Sequence, residues 1–245
     1  GTYTLNRVKA APVYVTMEHL ENGVAWGVVA NSGNANACCP MSHENAKAMA
    51  EAAAALTGRK AEDFVVASTG VIGQTINITV IEEGVPGLVE NLSYDGSDAA
   101  AAAIMTTDTK KKEIALSVEI GGKEVKIGAI AKGSGMIHPN MGTMLCYITT
   151  DCAISAPMLK KALLSANSVS FNRISVDGDT STNDSCIVLA NGLAGNKEIT
   201  CEGEDFTTFM EALNTITVQL CRTIAADGEG ATKLLECIAT GADTL

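Results

Sequence analysis

The sequence predicts an α+β layered sandwich, with helices outside and sheets inside. Three observations lead there. Short apolar runs that close on polar, Gly-containing turns read as buried strands, and they mix with helical stretches in no strict strand–helix–strand repeat. Ile114–Ile120 and Glu124–Ile130 flank Gly121-Gly122-Lys123, a hairpin signature and hence an antiparallel component. Between Asp205 and Ala226, the residues Phe206, Phe209, Met210, Leu213, Ile216, Leu220 and Ile224 fall at offsets 0, 3, 4, 7, 10, 14 and 18, the period of a helix with one apolar face.

Taken in order, Val24–Ala30 is an apolar run ending in Asn31-Ser32-Gly33, a strand and turn. Glu44–Leu56, rich in Ala, Met and Glu, predicts a helix closed by Gly58. Phe64–Ala67 predicts a second buried strand, running into the Ser-Thr-Gly turn at 68–70. Ser97-Asp98 is expected to cap a helix through Ala99–Met105. The hairpin follows and leads into a Gly-rich segment at 132–143. Leu145–Thr149 is a strand candidate, Pro157 sits early in a helix running to about Ser165, and Cys186–Ala190 is a buried strand ending in Asn191-Gly192. The long helix comes next, and Leu234–Ala239 is expected to form one more strand.

Neither internal repeats nor a low-complexity linker divide the 245 residues, so residues 1–245 are expected to form a single unit. Hydrophobic residues make up 47% and charged residues 18%, a globular composition. The net charge of −11 gives no basic footprint for nucleic acid, and Lys110-Lys111-Lys112 reads as a solvated loop. No stretch approaches the roughly 20 apolar residues of a membrane span and no signal peptide is visible, so no membrane partner is expected; a cytoplasmic location is expected from the cysteine usage. Eight cysteines without a CxxC pair read mostly as reduced core residues, with a Cys38–Cys39 bridge as the alternative. His19, His43 and His138 are scattered, so no metal is expected. The chain opens in mid-pattern without Met and reads as a piece or a processed product.

Five segments can carry chemistry. Lys132-Gly-Ser-Gly-Met-Ile-His-Pro-Asn-Met-Gly-Thr143 holds three glycines, a proline and an asparagine, which force an irregular backbone ahead of an apolar strand. A hydroxyl at a strand's first residue, beside a permissive glycine, suits self-cleavage: the Thr143 hydroxyl attacks the Gly142 carbonyl, the acyl group shifts from nitrogen to oxygen, and water releases it. The freed α-amine, with a reference pKa of about 8, can then serve as base for its own hydroxyl. The alternative is a glycine-rich loop with an ordinary threonine. Ser68-Thr69-Gly70-Val71-Ile72-Gly73 can offer a backbone N–H and a hydroxyl as an oxyanion hole, or be a plain turn. In Val176–Asp184, Asp177, Asp179 and Asp184 can bind a hard cation, though EF-hand spacing is missing, or the loop can cap itself. Glu229, between two glycines, can bind a cationic amine or be the solvent-facing residue of a C-cap turn. Asn31–Asn36 alone says only that the chain turns.

Together, Asn6–Pro12, Asn31–Ala37, Ser68–Gly73, Lys132–Ile137, Pro139–Met141, Thr143–Leu145, Val176–Asp184 and Gly228–Lys233 resemble the ornithine acetyltransferase family, the bifunctional glutamate N-acetyltransferases of arginine biosynthesis. The blocks occur in the family's order. The resemblance implies a layered α/β/β/α-like sandwich and autoproteolysis between Gly142 and Thr143, giving an α portion of residues 1–142 and a β portion of residues 143–245. It implies that Thr143 takes acetyl from N-acetylornithine and passes it to glutamate, with acetyl-CoA as an alternative donor and no resident cofactor. It places Thr69 and Gly70 in the oxyanion hole and Lys132 and Glu229 on substrate, a carboxylate and an ammonium respectively. It implies a heterotetramer of two α and two β chains. This sequence departs from the family in having Gly142-Thr143 where Ala-Thr is usual, and family members start earlier and continue past Leu245, so their C-terminal part is missing here. A self-processing aminopeptidase-like hydrolase and an inactive relative acting as a binding module are the other readings.

Overall fold

The computed structural model of the protein describes residues 1–138 and 144–241. It opens with β1 (Thr2–Tyr3), α1 (Ala11–His19), β2 (Gly27–Asn31), α2 (Ser42–Thr57), β3 (Phe64–Ser68), α3 (Ile78–Glu90) and α4 (Ser97–Ala103). There follow β4 (Lys112–Ile120), β5 (Lys123–Lys132), β6 (Leu145–Thr150), α5 (Ala156–Val169), β7 (Ser185–Ala190) and α6 (Glu204–Ala226). A five-stranded mixed sheet runs β1-β7-β6-β5-β4, and β2 and β3 form a separate parallel pair.

Alternation along the strands sorts the side chains into layers. On β3, Phe64 and Val66 face α1, α2 and α3, while Val65 and Ala67 face the larger sheet. On β6, Tyr147 and Leu145 return that contact, while Cys146 and Ile148 face α5 and α6. The order of layers is therefore helices, small sheet, large sheet, helices, as the sandwich reading expects. Phe209, Leu213, Ile216, Leu220 and Ile224 of α6 are buried against the large sheet, so the predicted apolar face is the packed face.

The hairpin forms with Ile120 opposite Lys123 and both Gly121 and Gly122 at positive φ, the conformation a two-residue turn of this hand requires. Gly58 ends α2 in the left-handed region, its N–H on Ala54 O. Two helices go beyond the sequence reading. In α1, Thr16 Oγ1 donates to Val66 O at 2.6 Å and accepts from Val66 N–H at 2.8 Å, so the helix covers one edge of β3. In α3, Gly84, Pro86 and Gly87 look like breakers, yet Ile78, Ile81, Val85 and Val89 pack on the α2 side and hold the helix.

Four expectations are corrected. Ser97 is the first residue of α4 and not its cap; Gly96 occupies the cap position and no side chain bonds there. Leu234–Ala239 is irregular, with Leu235 and Ile238 exposed, because no strand edge pairs with it among the described residues. Of the eight free cysteines only Cys146, Cys152, Cys186 and Cys221 are buried; Cys38, Cys201 and Cys237 are exposed, Cys39 is half-buried, and Cys38 and Cys39 are not bridged. Lys112 is not in a solvated loop: it is fully buried at the start of β4, although Lys111 beside it stays near the surface, paired with Asp98. Among the described residues no helix is long and apolar enough to cross a membrane.

Candidate active site

The ends of β2 and β3 carry two turns that interlock. Thr69 N–H donates to Asn31 O at 3.0 Å, Val71 N–H to Gly33 O at 3.2 Å, and Ala35 N–H to Val71 O at 3.0 Å. Gly70 has φ +130°, and a Cβ there would lie 2.2 Å from the Gly33 carbonyl carbon. Only glycine permits that approach. The 31–37 turn is thus the platform on which the 68–73 turn rests. Asn183 Nδ2 ties in a third loop, donating to Ala35 O at 2.7 Å and Ser68 O at 2.9 Å. Thr69 N–H is committed to Asn31, whereas Gly70 N–H donates to no acceptor among the described residues. A free N–H beside a threonine hydroxyl is what an oxyanion hole needs.

Lys132, the last residue of β5, reaches this turn. Its Nζ donates to Thr69 Oγ1 at 3.3 Å and lies 4.0 Å from Asp108 Oδ2. Burial pushes the Lys132 ammonium below its usual range; Asp108, Asp184 and Glu229 oppose that shift, and Lys112 adds to it. Asp108 anchors the segment that follows, accepting Gly133 N–H at 2.7 Å and Lys112 Nζ at 2.7 Å on the same oxygen. Lys112 Nζ also donates to Asp227 Oδ2 at 2.6 Å, and Ser134 Oγ donates to Asp227 O at 2.6 Å. Burial works against charge on Asp108 and Asp227, but the Lys112 bond and further N–H and hydroxyl donors hold both carboxyls below the usual carboxylate range.

The same segment positions Glu229. Its N–H donates to Ser134 O at 3.0 Å, and a Cβ on Gly135 would meet its carboxyl carbon at 2.5 Å. The turn after α6 is therefore both a helix end, closed by Asp227 N–H on Thr223 and Ile224 carbonyls, and a mount for an exposed carboxylate near Lys132.

The 176–184 loop caps itself in part, through Asp179 N–H on Asp177, and otherwise caps the segment that ends in β6. Asp177 accepts Met136 N–H at 2.5 Å and Ile137 N–H at 2.9 Å, Met136 sitting at φ 57° so that successive N–H groups converge on the carboxylate. Asp179 is exposed, its N–H on Asp177 Oδ1 at 3.1 Å. Asp184 accepts Met144 N–H at 2.9 Å. The carboxylates thus serve backbone N–H groups, and among the described residues no three His, Cys, Asp or Glu side chains are grouped to hold a metal. His19 is buried with Nδ1 2.8 Å from Phe64 O, a structural role.

The expected nucleophile Thr143 and its cleavage partner Gly142 lie outside the described residues. The strand they lead into is described. Met144 is buried, and Leu145 pairs with Lys132 on one side and Ser185 on the other. The structure therefore brings together Thr69, Gly70, Lys132, Glu229 and the start of β6. Sequence reasoning missed Asp108 and Lys112. Their signal was an acid four residues ahead of a lysine at the start of a strand, too slight to stand out. Two clefts, of about 690 and 590 Å³, lie elsewhere: one at the far end of the sheets beside Trp26 and Lys160, the other on the β4–β5 face beside Tyr147.

The ArgJ family's sequence profile matches residues 1–245. The arginine biosynthesis bifunctional protein ArgJ of Symbiobacterium thermophilum is 52% identical over all of this chain and 61% of its own length. The glutamate N-acetyltransferase of Methanocaldococcus jannaschii is 47% identical over the same shares. Among solved structures, ArgJ of Bacillus halodurans has a TM-score of 0.53 and 38% identity, covering 58% of this chain and 74% of that one. Ornithine acetyltransferase of Mycobacterium tuberculosis, complexed with ornithine, has a TM-score of 0.51 and 36% identity, covering 57% and 75%. The chain spans about three fifths of the length of the curated relatives it matches.

Proposed function

This chain belongs to the ArgJ family, and from that premise we propose that it cleaves itself between Gly142 and Thr143 and transfers acetyl from N-acetylornithine to glutamate through an acetyl-Thr143 intermediate. The observation that carries the reading is the convergence on Lys132. Its ammonium donates to the Thr69 hydroxyl of the interlocked turn, while its backbone pairs with Leu145, two residues beyond Thr143.

Each group then has a task. Thr143, with its freed α-amine as base, attacks the acetyl carbonyl. Gly70 N–H and the Thr69 hydroxyl, which accepts from Lys132 and keeps its own proton to donate, stabilise the oxyanion. Ornithine leaves, glutamate enters, and the same steps run in reverse. Lys132 holds a substrate carboxylate and Glu229 a substrate ammonium. Two relatives support this: one is a glutamate N-acetyltransferase, another an ornithine acetyltransferase complexed with ornithine. Acetyl-CoA as a second donor, two α with two β chains, and a cytoplasmic location belong to the same reading.

An intact mass spectrum tests the first step. Pieces of 142 and 103 residues are expected, spanning Gly1–Gly142 and Thr143–Leu245, and Thr143→Ala should abolish them. Incubation with N-acetylornithine, with and without glutamate, tests the second. Acetylglutamate supports transfer, whereas acetate alone points to a hydrolase. One uncleaved chain, indifferent to Thr143→Ala, sinks the proposal and leaves a binding module.

A further inference from the structure

The connection from α4 to β4 grips the mounts of both groups assigned to substrate. Toward Lys132, Asp108 Oδ1 accepts Gly133 N–H at 2.7 Å, and Asp108 Oδ2 lies 4.0 Å from Lys132 Nζ. Toward Glu229, the carboxylate of Asp227, two residues earlier, has three donors. Thr109 N–H reaches Oδ2 at 3.0 Å, Lys112 Nζ reaches the same oxygen at 2.6 Å, and the Thr109 hydroxyl donates to Oδ1. Lys112 Nζ also donates to Asp108 Oδ1 at 2.7 Å, so one ammonium joins the two halves.

A second tie runs beside the first. Ser134 Oγ donates to Asp227 O at 2.6 Å, and Glu229 N–H donates to Ser134 O at 3.0 Å. Gly135 then lies against the Glu229 carboxyl, so closely that a Cβ would meet its carbon at 2.5 Å. Four residues, 132–135, therefore carry the substrate-facing ammonium at one end and the seat of the carboxylate at the other. Asp108, Lys112 and Asp227 are all buried. A buried ion pair is a weak source of stability, since desolvation offsets much of the attraction. What its directional bonds do supply is one fixed geometry. Here that geometry is the placement of Glu229 relative to Lys132.

We propose that Asp227 is a positioning residue which, gripped by Thr109 and Lys112, fixes the span between Lys132 and Glu229 and so selects diamino-acid substrates by chain length. The inference rests on the reading of Lys132 and Glu229 as holders of a substrate carboxylate and ammonium, and deepens it. Asp227 acts through Glu229 and does not itself meet substrate. A span held fixed suits one number of methylenes between the two charged groups. One methylene too many moves the ammonium past its partner.

The test weakens one bond at the rim of this network. Thr109 is exposed, and Thr109→Val keeps the shape of the side chain and the backbone bond to Asp227 while removing the hydroxyl that serves Oδ1. Thr109→Ser keeps a hydroxyl. For the full 245-residue chain, kcat/KM is measured with N-acetylornithine and with N-acetyllysine, one methylene longer. Calorimetry with ornithine and lysine repeats the comparison without turnover. The wild-type chain should prefer the shorter compound at least about tenfold, the low end for one misplaced methylene. Thr109→Val should narrow that preference about threefold, within the range of one lost hydrogen bond, and Thr109→Ser should restore it. A merely structural role would lower both substrates together, and an unchanged ratio in Thr109→Val would overturn the proposal. So would a wild-type chain that takes both lengths equally, which would leave acetyl transfer standing. Preference for ornithine in binding, narrowed in Thr109→Val but without transfer, would support the positioning role and remove the transfer reading instead. Neither binding nor transfer would remove both. Circular dichroism checks folding, and Thr109→Ala, which also lacks the hydroxyl, carries the comparison if Thr109→Val does not fold.

Discussion

Two lysines meet at the open end of the β4–β5 hairpin, and they show what separates a structural cation from an available one. Lys112 opens β4 opposite Ala131, and Lys132 closes β5. Both are buried, at 1% and 5% exposure, and both border Asp108. Lys112 Nζ has three acceptors: Asp108 at 2.7 Å, Asp227 at 2.6 Å and Lys110 O at 3.2 Å. An ammonium has three protons, so it is saturated. Lys132 has a hydroxyl at 3.3 Å and a carboxylate at 4.0 Å. Its capacity is unspent, and it sits beside the turn with the free Gly70 N–H. Burial does not distinguish the two lysines; the count of engaged protons does.

The largest expected effect breaks the saturated one. Lys112→Met leaves Asp108 and Asp227 buried without their shared cation, and should cost about 3–5 kcal/mol of stability. Urea unfolding at neutral pH reads that loss. Lys132→Met should split the other way. No carboxylate depends on Lys132 alone and Met keeps the buried apolar stem, so stability should change by less than about 1 kcal/mol, the low end for a single substitution. A substrate carboxylate would lose its partner, and kcat/KM for acetyl transfer should fall about 100-fold, roughly 2.7 kcal/mol. Equal destabilisation by the two variants would erase the distinction.

The same contrast explains what the sequence could and could not reveal. The hairpin was legible because Gly121-Gly122 demands positive φ, and α6 because its apolar period is long. α3 was hidden by Gly84, Pro86 and Gly87, whose local preference is overridden by Ile78, Ile81, Val85 and Val89 packing at the α2 side. Leu234–Ala239 misled because an apolar run is only a strand when an edge receives it. Thr69, Gly70, Lys132 and Glu229 were visible as motif residues, but their approach to one another was not. The Lys112–Asp227 bond joins positions 115 apart, and no local pattern encodes it. The Asp177–Asp184 loop was legible as carboxylates, and the choice between cation and backbone N–H needed the partners in place.

Acid sharpens the comparison further. Asp108 and Asp227 titrate below their unfolded value of about 3.9, so the stability they contribute is present above that value and is lost as pH falls through the folded one. Asp184 has the opposite sign: its contribution is present below the unfolded value and is lost as pH rises through its raised folded one. At pH 7, Asp108→Asn should therefore destabilise by about 2 kcal/mol, removing a charged hydrogen-bond partner from Lys112. Asp184→Asn should change stability by less than about 1 kcal/mol, because the amide keeps an oxygen for Met144 N–H. Thermal melts at pH 7 compare the two directly. A large drop in Asp184→Asn would mark it as another Lys112-type anchor.

The smallest effect is expected at Glu229, and it tests whether availability can exist without burial. Its carboxylate is exposed, held by its backbone N–H on Ser134 O and by the close approach to Gly135. Removing its charge should move stability by less than about 0.5 kcal/mol. An exposed carboxylate facing an ammonium is screened by water and salt, so Glu229→Gln should raise KM for N-acetylornithine only about fivefold, roughly 1 kcal/mol for an exposed pair. That penalty should shrink further in high salt, whereas the loss in Lys132→Met should persist because its partner site is buried. A salt-independent, 100-fold effect at Glu229 would mean that substrate binding buries this carboxylate completely, and that the exposed mount on Gly135 is only one wall of the site.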